Sequence, residues 1–185
     1  MKFHYAGEYN GDENSLPQRE HPTGYVPFKE AQNMKKFAVI MNILALIITA
    51  VLVFIVAFIS REGLSLTGVI LALVSLVPHE FLHALCFKGD VLMYQNLKQG
   101  MLFVIGTEDM SKSRFIFMSL LPNIIFGFIP FIIFLIFPNL TILGTLGALA
   151  IGMGAGDYYN VFNALTQVPK NAKIYMSGFH SYWYK

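Results

Sequence analysis

Four apolar runs, 37–60, 66–87, 115–137 and 140–165, constrain this chain more than any other feature. Each is long enough to cross about 30 Å of hydrocarbon at about 1.5 Å per residue of helix. Only 13% of the 185 residues are charged, where a soluble domain carries about 25%. The expectation is therefore an all-α membrane protein of about four transmembrane helices. The first run lacks a small-residue cleavage pattern and reads as a retained span. A net charge of +2 gives no reason to expect nucleic acid as a partner, and one cysteine, Cys86, excludes an internal disulfide.

Lys2, Arg19, Lys29, Lys35 and Lys36 precede the first run. Lys88, Lys98, Lys112 and Arg114 lie in the long joint, 88–114, and Lys170, Lys173 and Lys185 follow the last run. The two short joints hold only Arg61. The positive-inside rule then places both termini and the long joint in the cytoplasm, with the protein in the cell membrane. Three regions are expected: a polar cytoplasmic segment (1–36), a four-helix transmembrane domain (37–165) and an aromatic-rich interfacial tail (166–185).

Of eleven acidic residues only Glu80 and Asp157 fall inside the runs, and of five histidines only His79 and His83. An ionisable side chain in a bilayer is expensive unless paired or ligated, so these four are candidates for function. Residues 79–83 read HEFLH. On a helix, positions i and i+4 share a face, so both imidazoles can reach one ion. Glu80 points about 100° away, as suits a general base rather than a ligand. A catalytic zinc takes three protein ligands, and Asp157 is the expected third. Counted from the cytoplasmic ends of their helices, His79 lies about 13 Å deep and Asp157 about 15 Å deep.

Gly144, Ala148, Gly152 and Gly156 repeat every four residues along the fourth run, and Gly68, Ala72 and Ser75 line the second. Small-residue faces let helices approach closely, so these two helices are expected to pack directly. Pro78 removes a hydrogen bond and frees the Val74 carbonyl, from which a kink that admits water is expected. Cys86 shares the histidine face and competes as a ligand, but reads better as a small buried hydrophobe. Asn123, after Pro122, is expected either to bond a neighbouring helix or to hold substrate backbone. Asn160 is a candidate supporting donor one turn after Asp157. Tyr158, Tyr159 and Asn163 read as ordinary helix packing.

These residues resemble a known group. The stretches "VPFKEAQNMKK", "HEFLHAL", "SLLPN", "GAGDYYN" and "SGFHSYWY" are similar to domain of unknown function 3267, a family described as "putative zincin peptidase". More broadly the layout resembles site-2-protease-like intramembrane metallopeptidases. The resemblance implies Zn2+ held by His79, His83 and Asp157, with Glu80 as general base and a membrane-protein or peptide substrate. In the better-known site-2 proteases glycine follows the aspartate, whereas here Gly156 precedes it and Tyr158 follows.

The long joint contains two β-like runs, "VLMYQNL" and "MLFVIG", around Lys98-Gln99-Gly100, expected to form an interfacial hairpin or a plain loop. The tail alternates and offers another strand, with His180 interfacial rather than a ligand. The leading segment is turn-rich and is expected to be partly disordered. Two alternatives stay open beside a peptidase: a metal-binding membrane sensor, and a structural membrane protein with a degenerate HExxH site.

Overall fold

The computed structural model describes residues 2–30, 34–60, 62–96 and 101–185. The chain divides into two compact units: 1–30, 80–119 and 160–185 form one, and 31–79 with 120–159 the other.

The second unit is helical. Helix α1 (Met34–Ile59) leaves most of its apolar surface uncovered, and Phe58 is 81% exposed. An exposed apolar surface of this extent suits an apolar surround, lipid or protein, better than water. The second apolar run is broken into α2 (Leu66–Val74) and α3 (Leu76–Leu85) at Ser75, whose Oγ donates to the Ala72 carbonyl. The break falls where Pro78, lacking an N–H, leaves the Val74 carbonyl without its helical donor.

The third run comprises α4 (Lys112–Pro122), a π-helical stretch (Asn123–Phe128) and α5 (Ile129–Ile136). The wider π turn begins at the residue after Pro122, whose ring cannot continue α-helical bonding. The fourth run forms α6 (Thr141–Met153) and α7 (Ala155–Gln167), separated at Gly154. Three segments, Ala38–Ile59, Leu66–Leu85 and Lys112–Ile136, are long and apolar enough to cross a membrane. Helix α6 is apolar but has only 13 residues, about 20 Å of helix.

Close packing in this unit runs through glycine. A Cβ on Gly68 would lie 2.7 Å from the Ile142 carbonyl oxygen and from Thr145 Cβ, so α2 does lie directly on α6. The stripe itself is used differently from the expectation. Gly144 faces the Phe134 ring of α5, Gly152 abuts Thr49 and the Ala45 carbonyl of α1, and Gly156 has open space. Thus α6 is a hub whose small residues serve several neighbours. Val56, Phe131, Phe134, Ala148 and Ile151 fill the core around it.

The first unit overturns the all-α expectation, because it contains two sheets. In one, β3 (Asp90–Asn96) pairs antiparallel with β4 (Met101–Ile105), the expected hairpin, and its turn at Lys98-Gln99-Gly100 lies outside the described residues. The other edge of β3 pairs in parallel with β1 (Lys2–Glu8). The start of the leading segment is therefore a strand. Its alternation of Phe3 and Tyr5 with Lys2 and His4 is a period-2 signal, overshadowed by the turn-rich stretch after it.

The second sheet has the order β2-β7-β6-β5, with β2 Val26–Pro27, β5 Met110–Ser111, β6 Lys173–Ser177 and β7 His180–Tyr184. The tail thus supplies a hairpin rather than one strand. Its two-residue turn is Gly178-Phe179, and Gly178 takes the φ of +61° that a tight hairpin demands. Phe28, Ala84, Phe87, Phe115, Met118 and Ile174 anchor the core of this unit. Lys112 Nζ donates to the Leu165 and Val168 carbonyls, satisfying the C-terminal end of α7.

Candidate metal centre

Helix α3 carries His79, Glu80 and His83 within one and a half turns. Their potential ligand atoms, one nitrogen or carboxylate oxygen each, all lie within 4.8 Å of one another. His83 is buried, and the other two are half-buried. His83 Nδ1 is 2.8 Å from the Met118 carbonyl oxygen. A carbonyl only accepts, so Nδ1 carries the proton and Nε2 holds the lone pair of the neutral ring. Metal-ligating histidines are oriented in just this manner.

Asp157 occupies the first turn of α7, where a carboxylate is favoured by the helix dipole. It reaches His79 across 78 residues of sequence, with Oδ2 3.3 Å from His79 Nε2. These side chains are only 12% and 16% exposed. The depth estimates for the two residues anticipated this meeting.

The same carboxylate oxygen accepts from Asn123 Nδ2 at 2.7 Å. The single proton of the Tyr158 hydroxyl is shared between two acceptors, Asn123 Oδ1 at 3.3 Å and the Ile151 carbonyl at 3.0 Å. Asn123 is fully buried. Of its two expected roles, burial and the bond to Asp157 favour the one between helices. Tyr158 is more than helix packing, since it holds the far end of the Asn123 amide. No sequence pattern marked it, because a tyrosine beside an aspartate has no characteristic spacing.

Gly154 is a further residue that sequence reasoning missed. A Cβ there would run into Asn123 Oδ1, so the absence of a side chain admits the amide. Asn160 follows Asp157 by one turn, half-buried, and takes no part in the network of Asn123, Asp157 and Tyr158. Cys86 Sγ is 3.5 Å from the Leu82 carbonyl and packs against the apolar core, as a small hydrophobe would. His180 bonds Glu30 instead of a metal-type cluster.

The cluster that the structure brings together, His79, Glu80 and His83, is compatible with zinc and does not include Asp157, which adjoins it at His79. Two ligands of a tetrahedral ion with bonds of about 2.0–2.1 Å stand about 3.3–3.4 Å apart, and His79 Nε2 and Asp157 Oδ2 are 3.3 Å apart. Imidazole nitrogen and carboxylate oxygen are ordinary zinc donors; the Met118 carbonyl bonds the His83 ring, and the Asn123 amide bonds the Asp157 carboxylate.

A family model described as "putative zincin peptidase" (DUF3267) matches residues 72–173, which include all of these residues. No curated protein matches the chain, and no solved structure does.

Proposed function

The chain belongs to the DUF3267 family, and on that premise we propose that it is a zinc-dependent endopeptidase of the site-2-protease type. Its substrate is a membrane-associated protein segment, and it acts within the cell membrane with both termini cytoplasmic. The observation that carries this reading is the 3.3 Å approach of Asp157 to His79 from a different helix. A chance HExxH string has no reason to attract a distant carboxylate into apolar surroundings.

His79, His83 and Asp157 are the residues that would hold zinc. Bound there, zinc supplies Lewis acidity toward water and the scissile carbonyl. Glu80 sits on the same helical turn but off the histidine axis, and its carboxylate accepts the proton of the attacking water and returns it to the leaving amine. The Asn123 amide fixes Asp157, and the Met118 carbonyl fixes the His83 ring. Three long apolar helices support residence in the membrane, with α6 and the start of α7 as the fourth crossing.

The test is metal content of the detergent-purified full chain beside His79→Ala, Asp157→Ala and Glu80→Gln, with peptide-bond cleavage assayed on a panel of membrane-protein substrates. About one zinc per chain, lost in the first two variants and kept in Glu80→Gln, is expected for three ligands and a separate base. Cleavage is expected in wild type only. Undiminished cleavage by Glu80→Gln removes the proposed base, and zinc bound without any cleavage supports a sensor instead.

A further inference from the structure

Beside the β5–β6 pair the first unit has a cleft of about 300 Å³ lined by Lys88, Glu108, Asp109, Ser111, Arg114 and Lys173. We propose that this cleft binds the phosphate of an anionic phospholipid headgroup through Lys88, Lys173 and Ser111.

Local folding puts these groups together. Ser111 and Lys173 are cross-strand partners. Lys88 is tied to the same place because its amide, with that of Gly89, donates to the Glu108 carboxylate. The charges within the cleft are unequally satisfied. Glu108 is held by those amides and by Arg114, whose guanidinium also donates to the Cys86 carbonyl. Asp109 pairs with Arg19 at 2.9 Å and accepts from the Tyr184 hydroxyl at 2.7 Å. Both carboxylates thus have cationic partners, while the exposed ammonium groups of Lys88 and Lys173 form no ion pair among the described residues. The unmet charge at the cleft is positive, and a phosphate bearing several acceptor oxygens matches two ammonium groups and a hydroxyl.

The position along the chain selects the source of that phosphate. Lys88 follows the apolar segment Leu66–Leu85 by three residues, and Ser111 immediately precedes Lys112–Ile136. Residues at those two places lie at headgroup level if the segments cross the bilayer, so the assignment rests on the membrane reading above. Lysines at the cytoplasmic surface meet the anionic leaflet.

The full chain in dodecyl maltoside is given equimolar phosphatidylglycerol and phosphatidylcholine, and retained lipid is read by native mass spectrometry. Wild type is expected to retain phosphatidylglycerol with a preference of about thirtyfold, from two ammonium groups near one headgroup. Lys88→Gln/Lys173→Gln is expected to lose that preference, and Lys170→Gln/Lys185→Gln, with the same change of charge on exposed tail residues, to keep it. No preference in wild type, or equal loss in both double variants, overturns the site. Displacement of the lipid by millimolar inorganic phosphate overturns the lipid assignment in favour of a soluble phosphate. Failure of the wild-type protein to float with phosphatidylcholine vesicles overturns the membrane reading on which the site depends, and is a separate result from a lost preference.

Discussion

Asn123 Nδ2 donates at 2.7 Å to the Asp157 oxygen that lies 3.3 Å from His79 Nε2. The amide comes from the π-helical stretch and the carboxylate from the first turn of α7, so this bond ties the oxygen to a second helix. Replacing Asn123 by Ala removes the donor without adding bulk. Zinc affinity is expected to fall about 10–100-fold, as for other residues that orient a metal ligand. Asn123→Asp is expected to bind more weakly still, because it sets a second carboxylate against Asp157. Zinc titration of the purified variants checks both, and wild-type affinity in Asn123→Ala removes the positioning role.

Gly154 makes the same point through space. Its missing side chain admits Asn123 Oδ1, and Asn123 is fully buried. Gly154→Ala is expected to destabilise the protein by about 1–3 kcal/mol through overpacking and also to weaken zinc binding, since the displaced amide is the one on Asp157. Gly156→Ala, where nothing lies within 4 Å, is the control and is expected to leave both unchanged. Thermal unfolding in detergent and zinc titration separate the two effects.

Much of the candidate site was legible in the sequence because a charged group within an apolar run is conspicuous. His79, Glu80, His83 and Asp157 are polar groups in apolar runs, and their depths follow from helix rise alone. Gly154 and Tyr158 were not legible, since a missing side chain and a lone hydroxyl leave no periodic trace, whereas Pro122 marks the Met118 carbonyl, four residues earlier, as one without a helical donor. The long apolar helices were readable for the same reason as the site. The sheets were less so: β2 and β5 have two residues each, too short for alternation to register. Strand β1 pairs with residues almost ninety positions away, and such pairing depends on tertiary contacts that local pattern does not encode.

Arg114 binds the exit of α3 to the loop before α4. Its guanidinium donates to the Cys86 carbonyl and to Glu108. Burial pushes the Glu108 carboxyl up, but the Lys88 and Gly89 amides and Arg114 outweigh it and hold the group below its ordinary value. A carboxyl depressed on folding adds stability above its unfolded value, about 4.3, and loses it as pH falls through the folded value. Arg114→Ala is expected to cost about 1.5–3 kcal/mol, the range for hydrogen bonds to charged groups. Glu108→Gln is expected to flatten the pH dependence of stability below pH 4.3. Denaturant midpoints measured from pH 3 to 6 check this, and an unchanged acid limb in Glu108→Gln contradicts the assigned role.

His180 runs in the opposite sense. In the β6–β7 hairpin, its Nδ1 lies 3.2 Å from Glu30 Oε2, and its Nε2 lies 3.9 Å from Glu13 Oε2. The hydrogen bond to Glu30 raises the imidazole above its ordinary value; burial opposes this, and the charges of Glu30 and Glu13 add to the rise. A histidine raised on folding contributes fully below its unfolded value of about 6.5, and the contribution fades as pH rises through the higher folded value. The leading segment, which supplies both carboxylates, is therefore held to the hairpin more firmly in mild acid than in mild base. Melting temperature is expected to decline between pH 6.5 and 8.5 in wild type. His180→Gln removes the titrating group but keeps a polar side chain, so its melting temperature is expected to be lower at pH 6.5 and to change less over the same interval. Glu30→Gln is expected to do likewise, because the partner of the imidazolium is gone. A wild-type decline that persists undiminished in both variants assigns the pH dependence to other groups and leaves the His180–Glu30 pair without an energetic role.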